Sequence, residues 1–313
     1  MTLAQTSTTF SYAGEFAALA TAFCWTFTAM AFEAAGKRVG SLSVNLLRLF
    51  LAAIFLSAFG LVFRGLALPL DATGHAWLWL ALSGIVGLVF GDGCLFRALV
   101  LIGPRLATLI MSLAPPFAAL LGWIMMGETL SVMDWAGMGL TLFGVSWVVL
   151  ERTPDPGGKI RRASLGGLLF ALAGAAGQGG GLVLSKYGMG TYDAFAATQI
   201  RVFAGIVGFS VLFVFLGWWP RVLEAARKPS AMGYTAIGSF FGPFLGVSLS
   251  LLAVQFIEAG VAQTFMSIVP VLIIPFVIVV HKERVSLRAV AGALVAVAGV
   301  SLLFVGDRIL AML

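Results

Sequence analysis

The sequence predicts an all-α membrane protein of ten transmembrane helices arranged as two inverted five-helix repeats, and three observations carry that expectation. Hydrophobic residues make up 60% of the 313 and charged residues only 10%, whereas a soluble domain averages about 25% charged. Ten charge-poor runs approach the roughly 20 apolar residues that a helix needs to cross a hydrocarbon core about 30 Å thick. The chain also repeats itself: Ala98–Ser146 recurs as Ala253–Ser301 at a constant offset of 155, and a second block aligns at an offset of 153. Two halves of roughly 150 residues on one plan mark an internal duplication.

In chain order the runs are Gly14–Phe32, Val44–Val62, Ala76–Phe96, Pro104–Met126, Asp134–Leu150, Leu165–Leu184, Ala194–Trp218, Ala231–Phe256, Gly260–Val280 and Leu287–Val305. Each is bounded by charge, Gly or Pro. The segment from Met1 to Phe16 carries no Lys or Arg, so the first run lacks the positive flank of a signal peptide and reads as a membrane helix. Between the fifth and sixth runs, Glu151–Arg162 holds Pro154, Pro156, Gly157 and Gly158, the breaker content of a joint. The expected organisation is therefore a first repeat over 14–150, a linker over 151–164 and a second repeat over 165–305, with no length left for a soluble domain.

The block at offset 155 pairs Met111-Ser112 with Met266-Ser267, Pro115 with Pro270, Glu128 with Glu283 and Ser131 with Ser286. It goes on to pair Gly137 with Gly292 and Gly144-Val145-Ser146 with Gly299-Val300-Ser301. The block at offset 153 pairs Gly14 with Gly167, Ala18-Leu19-Ala20 with Ala171-Leu172-Ala173, Arg48 with Arg201 and Phe50 with Phe203.

A repeat that crosses the bilayer five times leaves its successor inverted. Fourteen of the nineteen Lys and Arg fall in the loops after the odd-numbered runs, three (Arg64, Lys186, Arg308) on the other side, and Arg48 and Arg201 near the edges. Basic loops stay in the cytoplasm, which puts Arg152–Arg162 and Arg221–Lys228 inside and both termini outside. The expected location is the plasma membrane, the inner membrane in a bacterium. The net charge of +6 then reflects topology, and no nucleic-acid partner is expected. Cys24 and Cys94 fall inside spans, away from an oxidising compartment, and read as packing residues with no disulfide or metal role.

The segment Gly103–Ser131, with Pro115-Pro116 and Gly127-Glu128-Thr129-Leu130-Ser131, and its echo Gly260–Ser286, with Pro270 and Glu283-Arg284-Val285-Ser286, resemble the fourth and ninth helices of EamA-type transporters of the drug/metabolite transporter superfamily. The small-residue stretches Gly137 to Val145 and Gly292 to Val300 are similar to the family's next helix. The resemblance covers essentially the whole chain. It implies ten helices, a central cavity walled by both halves, alternating access, and small polar or amphipathic substrates, amino acids among them, that are often exported. Characterised members resemble a termini-inside arrangement, from which the charge count here departs.

Asp92 is the one carboxylate well inside a run, where a charge is costly unless protonated or paired. It is the candidate proton-coupling site; the alternative is a residue near a helix end bonded to backbone or to Arg97. Arg48 and Arg201 hold matching positions at the starts of the second and seventh helices and are candidate charges at the two cavity mouths, or else they snorkel to headgroups. Pro115, Pro116, Pro270 and Pro275 interrupt the fourth and ninth helices as candidate hinges. The sixth helix sets Gln178 among Gly174, Gly177, Gly179, Gly180 and Gly181, opposite Trp25 at the matching place in the first. An aromatic wall facing an amide suits an amphipathic ligand. Gln255, Gln263 and the repeated pairs Met111-Ser112 and Met266-Ser267 complete the candidate substrate-binding set; the glutamines could equally bond across helix interfaces. Glu128 and Glu283 read as structural ties between loops, and Ser131-Val132-Met133-Asp134 as a capping box.

The function these residues suggest is secondary transport, with export, of small metabolites such as amino acids or amphipathic compounds. No Gly-rich loop with Lys exists to bind a nucleotide, and no cofactor is expected. The expected partners are a small-molecule substrate, the lipid bilayer and protons as coupling ion, in a monomer or weak oligomer. A membrane enzyme would need paired carboxylates or His clusters at depth, but the two histidines, His75 and His281, lie in predicted loops. The remaining alternative is a non-transporting binding, scaffold or lipid-handling protein.

Overall fold

In lipid, backbone polar groups have no water to bond, so each apolar run must close its hydrogen bonds within itself. The computed structural model describes residues 12–151, 164–281 and 286–312, with backbone alone for 103–106, 108, 151, 277–281 and 304–312. Most of the linker and Glu283 therefore lie outside the described residues. Every regular element among those described is helical. The first half runs α1 (Ala13–Val39), α2 (Ser41–Arg64), α3 (Gly74–Gly84), a π-helical segment Ile85–Gly91, α4 (Asp92–Met111), α5 (Ala114–Met126) and α6 (Val132–Glu151). The second runs α7 (Leu165–Met189), α8 (Ala194–Phe215), α9 (Trp219–Ala226), α10 (Pro229–Ser239), a π-helical segment Phe240–Gly246, α11 (Val247–Phe256), α12 (Ala259–Met266), α13 (Val269–His281) and α14 (Leu287–Met312).

Nine stretches among the described residues are long and apolar enough to span a membrane, and a further apolar stretch, Leu287–Leu303, is shorter. The chain is a multi-pass membrane protein; the expected ten full-length spans become nine and a shorter one.

The sequence places prolines as kinks within two helices, but the structure ends those helices and starts new ones. Pro115 and Pro270 have no N–H to offer the carbonyls of Met111 and Met266 four residues back. The helix stops at those methionines, and each proline takes the second position of the next helix, where its missing donor costs nothing. The serine at each break donates its hydroxyl to an exposed carbonyl, Ser112 to Leu109 at 2.6 Å and Ser267 to Thr264 at 2.7 Å. Of the four candidate hinge prolines, Pro275 alone lies well inside a helix, α13. Gly127 ends α5 with φ 69°, a left-handed turn that suits Gly. Thr73, Ser164 and Asp193 cap α3, α7 and α8. Ser131 and Asp134 form the expected capping box, with bonds of 2.9 and 3.1 Å.

Both π-helical segments fall at the same place in their repeats. Ile85 and Phe240, Gly91 and Gly246 are each 155 apart, and the wide turn is closed by Asp92 N–H donating to Gly87 O in one and Val247 N–H to Gly242 O in the other. One extra residue per turn rotates the face that follows, so Asp92 and Val247 open the continuing helices on matching sides.

Small residues set how the halves meet. A Cβ built on Gly177 would stand 2.8 Å from Gly91 Cα, and one on Gly181 2.8 Å from Gly87 Cα, so α7 lies backbone to backbone on the first π-helical segment. In the mirrored contact α1 lies on the second: Thr28 meets Gly242 and Trp25 meets Gly246. The last helices, α6 and α14, cross at Gly137 with Gly299 and at Gly144 with Gly292 and Ala296. Such approaches let helices associate in lipid without hydrophobic drive.

The crossing is testable. A Cβ on Gly144 would lie 2.7 Å from Ala296 Cα, whereas one on Gly139 would meet nothing within 4 Å. Gly144→Val is expected to destabilise the detergent-purified protein by about 1–3 kcal/mol or more and to shrink its monodisperse peak in size-exclusion chromatography. Gly139→Ala should leave both the peak and the melting temperature unchanged.

Candidate functional site

The two repeats enclose a cavity of about 200 Å³. From the first come Trp25 and Thr28 of α1, Arg48 of α2, Leu88 of the first π-helical segment and Asp92. From the second come Gln178 of α7, Gly242 and Pro243 of the second π-helical segment, and Val247. Every contributor lies in the interior of its span. Leu88 and Pro243, and Asp92 and Val247, are repeat partners, so one frame presents an acid on one side and an aliphatic wall on the other.

Asp92 accepts from two sides. Arg48 makes an ion pair with its Oδ2, and Gln178 Nε2 donates to its Oδ1 at 2.7 Å and to Gly87 O at 3.3 Å. The side chains of Arg48 and Asp92 are 15% and 13% exposed. Gln178 reaches the acid because the glycines around it let α7 approach so closely. The Arg48 guanidinium also lies 5.5 Å from the Phe32 ring centroid. Arg201 is 6% exposed, and its terminal nitrogen would be 3.2 Å from a Cβ on Gly87.

The structure thus brings Trp25, Arg48, Asp92 and Gln178 into one chamber. The partner of Asp92 is Arg48, not Arg97, which is exposed on α4. Arg48 and Arg201 start their helices near opposite ends, as the sequence indicates, yet neither snorkels outward. Arg48 turns in to Asp92, and Arg201 is buried behind the first π-helical segment.

The other candidates lie elsewhere. Gln255 donates to the carbonyls of Gly190 and Tyr192 at 3.3 and 2.8 Å, in a loop junction. Gln263 and Met266 are buried in α12, Met111 and Ser112 stand at the α4–α5 break beside α7, with Met111 near Gly174, and Ser267 sits at the α12–α13 break. The chamber's Thr28, Leu88, Gly242, Pro243 and Val247 escape the sequence reading. The sequence does carry a signal for them: Gly87 and Gly91 recur as Gly242 and Gly246 at the offset of 155, just ahead of the repeated block Ala98–Ser146.

One end of the bundle is tied together by polar bonds that cross between repeats. Lys186 Nζ bridges Glu128 Oε1 at 2.5 Å and Ile257 O at 2.7 Å, while Glu128 Oε2 accepts from Ala259 N–H at 3.0 Å. Asp71 accepts from Arg64 at 2.6 Å and from Tyr192 at 2.8 Å, and Gln199 spans to Ser57 and Ala67 at 2.9 Å each. Between these loops lies a vestibule of about 470 Å³ lined by Asp71, His75, Tyr187 and Tyr192 among others. Although the vestibule is larger, the inner chamber is where buried charges converge, and that is the candidate site.

At the tied end three loop residues titrate away from their usual ranges. Burial pushes Asp71 up, but bonds from Tyr192, its own backbone and Arg64 outweigh it and leave the carboxyl lower than usual. Tyr192 is raised, by burial and then by its bond to Asp71, against the pull of Arg64. Glu258 is raised by burial; its backbone bond and the Lys186 charge oppose this, while the carboxylates of Asp134 and Glu128 add to it.

Similarity to known proteins agrees with this architecture. The sequence model of the EamA-like transporter family matches residues 12–150 and 165–305, and the chain belongs to that family, a family of small-molecule membrane transporters. No curated protein matches the chain. A solved structure titled only "Crystal structure of protein" superposes with a TM-score of 0.72 over 95% of this chain and 98% of that one, at 19% identity; at that identity the likeness is one of fold.

Because the folded-state pKa of Glu258 lies above its unfolded value, its contribution to stability is fully present below the unfolded pKa and is lost as pH rises through the folded one. Glu258→Gln removes that loss. Melting temperatures of variant and parent should coincide at about pH 4 and separate, with the variant higher, at about pH 8. Equal melting temperatures at both would mean that Glu258 keeps an ordinary pKa.

Proposed function

We propose that this EamA-like transporter is a secondary transporter that exports small amphipathic metabolites by alternating access between its two repeats. The observation that carries the proposal is the chamber itself, a mid-span cavity whose polar floor and apolar walls come from both halves. Sites of that kind, at the interface of repeats and beside interrupted helices, are where transporters bind their cargo. The cross-repeat bonds of Lys186, Glu128 and Tyr192 support a gated mechanism, since they close one end and must break for that end to open. By the charge bias of the loops, the tied end faces outside with both termini.

Energy would enter through Asp92. Its carboxylate holds Arg48 and Gln178 together, and a proton on it would weaken both contacts and loosen α2 and α7 from α4. A buried carboxylate whose pairing depends on its charge is a natural coupling element. Trp25, Leu88, Pro243 and Val247 would meet the apolar part of the cargo, and Gln178 and Arg48 its polar end.

Flux measured in liposomes tests this. The reconstituted protein should accelerate movement of an amphipathic metabolite, and an imposed proton gradient should drive its accumulation. Asp92→Asn should abolish gradient-driven accumulation while preserving exchange between labelled and unlabelled substrate. Gradient dependence that survives in Asp92→Asn removes Asp92 from coupling; no flux of any solute by folded protein removes the transporter reading.

A further inference from the structure

The chamber and its surroundings hold two guanidiniums and one carboxylate. Arg48 is paired with Asp92. Arg201 has no carboxylate within ion-pair distance and no hydrogen-bond acceptor among the described residues, and its Nε is wholly buried without a partner. A guanidinium keeps its charge at any physiological pH, so the region carries an excess positive charge at membrane depth. An isolated buried charge is among the costliest features a fold can keep. A second orphan lies on α2: Asn45, 1% exposed and one turn before Arg48, has neither its amide nitrogen nor its oxygen bonded, and the Nε of Arg48 is also unbonded.

We propose that the cargo is an amphipathic monoanion whose carboxylate supplies the missing negative charge, displacing Asp92 from Arg48 and lying in the field of Arg201. This rests on the transporter reading and narrows it. Charge balance selects the class: a neutral solute leaves the excess uncompensated, a cation adds to it, and a zwitterion brings no net charge. The carboxylate geometry follows from Arg48, whose planar fork presents paired donors to two oxygens. The apolar part is set by the walls. Trp25, Leu88, Pro243 and Val247 face a space of about 200 Å³, and a cavity of about 150 Å³ accommodates one benzene ring. One ring with a short carboxylate arm fits.

Two roles for the arginines follow. Arg48 contacts the carboxylate, and Arg201 acts at longer range through the first π-helical segment, its terminal nitrogen beside Gly87, the residue whose carbonyl holds Gln178. Arg201 thus has no partner of its own in the empty protein, sharing only the field of Asp92, which Arg48 already pairs, and gains a compensating charge in the loaded one. Replacing it should make the empty protein more stable and the loaded complex weaker, a pair of opposite effects that a purely structural arginine would not give.

The test uses four probes with the same ring: phenylacetate, phenylalanine, phenethylamine and phenylacetamide. Melting temperature of the detergent-purified protein is recorded against each, then flux in liposomes. Phenylacetate is expected to raise the melting temperature in a saturable manner and the other three to raise it far less. Arg201→Gln is expected to melt higher than the parent without ligand and to bind phenylacetate about tenfold more weakly. Arg48→Gln leaves Asp92 unpaired and so endangers folding; the double variant Arg48→Gln/Asp92→Asn removes both charges together and should bind phenylacetate weakly or not at all. A larger shift from phenylalanine, phenethylamine or phenylacetamide than from phenylacetate overturns the anionic site, as does no shift from any probe in folded protein or an unchanged phenylacetate affinity in Arg201→Gln. Binding of phenylacetate without flux upholds the anionic site and defeats the transporter reading, whereas flux of the zwitterion or cation alone does the reverse.

Discussion

Surrounded by lipid tails, an apolar side chain gains little by turning from them to a neighbouring helix, so helices in this chain adhere where their backbones come close enough for dense van der Waals contact. Glycine makes that approach possible. Gly177 and Gly181 lie against Gly91 and Gly87 between α7 and the first π-helical segment, and Gly137 and Gly144 against Gly299 and Gly292 between α6 and α14. These contacts run between repeats, so neither half has a complete interface alone. They also fix the site: Gln178 reaches Asp92 and Gly87 O because nothing larger than hydrogen separates α7 from the segment it lies on.

The wide turns at Ile85–Gly91 and Phe240–Gly246 show how one plan yields an asymmetric chamber. Each inserts an extra residue at the same point of its repeat, and each leads into a helix that opens on the cavity. In the first, the leading residue is Asp92 and the neighbour that meets it is Gln178; in the second, it is Val247, and Trp25 lies against Gly246. Backbone geometry is shared, while the side chains at matched positions are polar on one side and apolar on the other. An amphipathic cargo could be held across that divide without any loop being recruited.

The fold was legible because it depends on patterns that survive in one dimension. Charge-poor runs gave the spans, and matched Pro, Gly and Ser residues gave the repeats; Pro115 and Pro270 marked the two breaks, although a kink was expected where the helix ends. The site was legible only in part. Asp92, Gln178 and Trp25 stand out because a carboxylate, an amide or an indole amid glycine and leucine is unusual. The π-helical turns show only in the recurrence of Gly87 and Gly91 as Gly242 and Gly246, since one added residue alters a periodicity that is hardly visible when every face is hydrophobic. Arg48 and Arg201 misled for a geometric reason. Their backbone positions near helix starts suit headgroup contacts, but long side chains can point either way along a helix, and packing against Phe32 and Gly87 turns these inward. The Lys186 bridge from Glu128 to Ile257 joins residues 58 and 71 positions apart, and only the assembled bundle brings them together.

The proposed alternating access asks for two conformations close enough in energy that cargo and a proton could tip the balance, because a ligand shifts an equilibrium only by its differential affinity for the two states. On the proposed mechanism duplicated halves would supply that near-degeneracy, since the contact of α7 on the first π-helical segment has a counterpart in that of α1 on the second. What then distinguishes the states is whatever the duplication does not share. In this chain that set is small: Asp92 against Val247, Gln178 against Trp25, and Lys186, which bridges to Glu128, against Glu33. The ion pair in the chamber and the bridge at the tied end lie in the same helical framework, with Gln178 and Lys186 two turns apart on α7. A shift of α7 that followed loss of the Asp92 bond would therefore carry Lys186 with it, which would give the proposed mechanism a route from the chamber to the tied end through α7 alone.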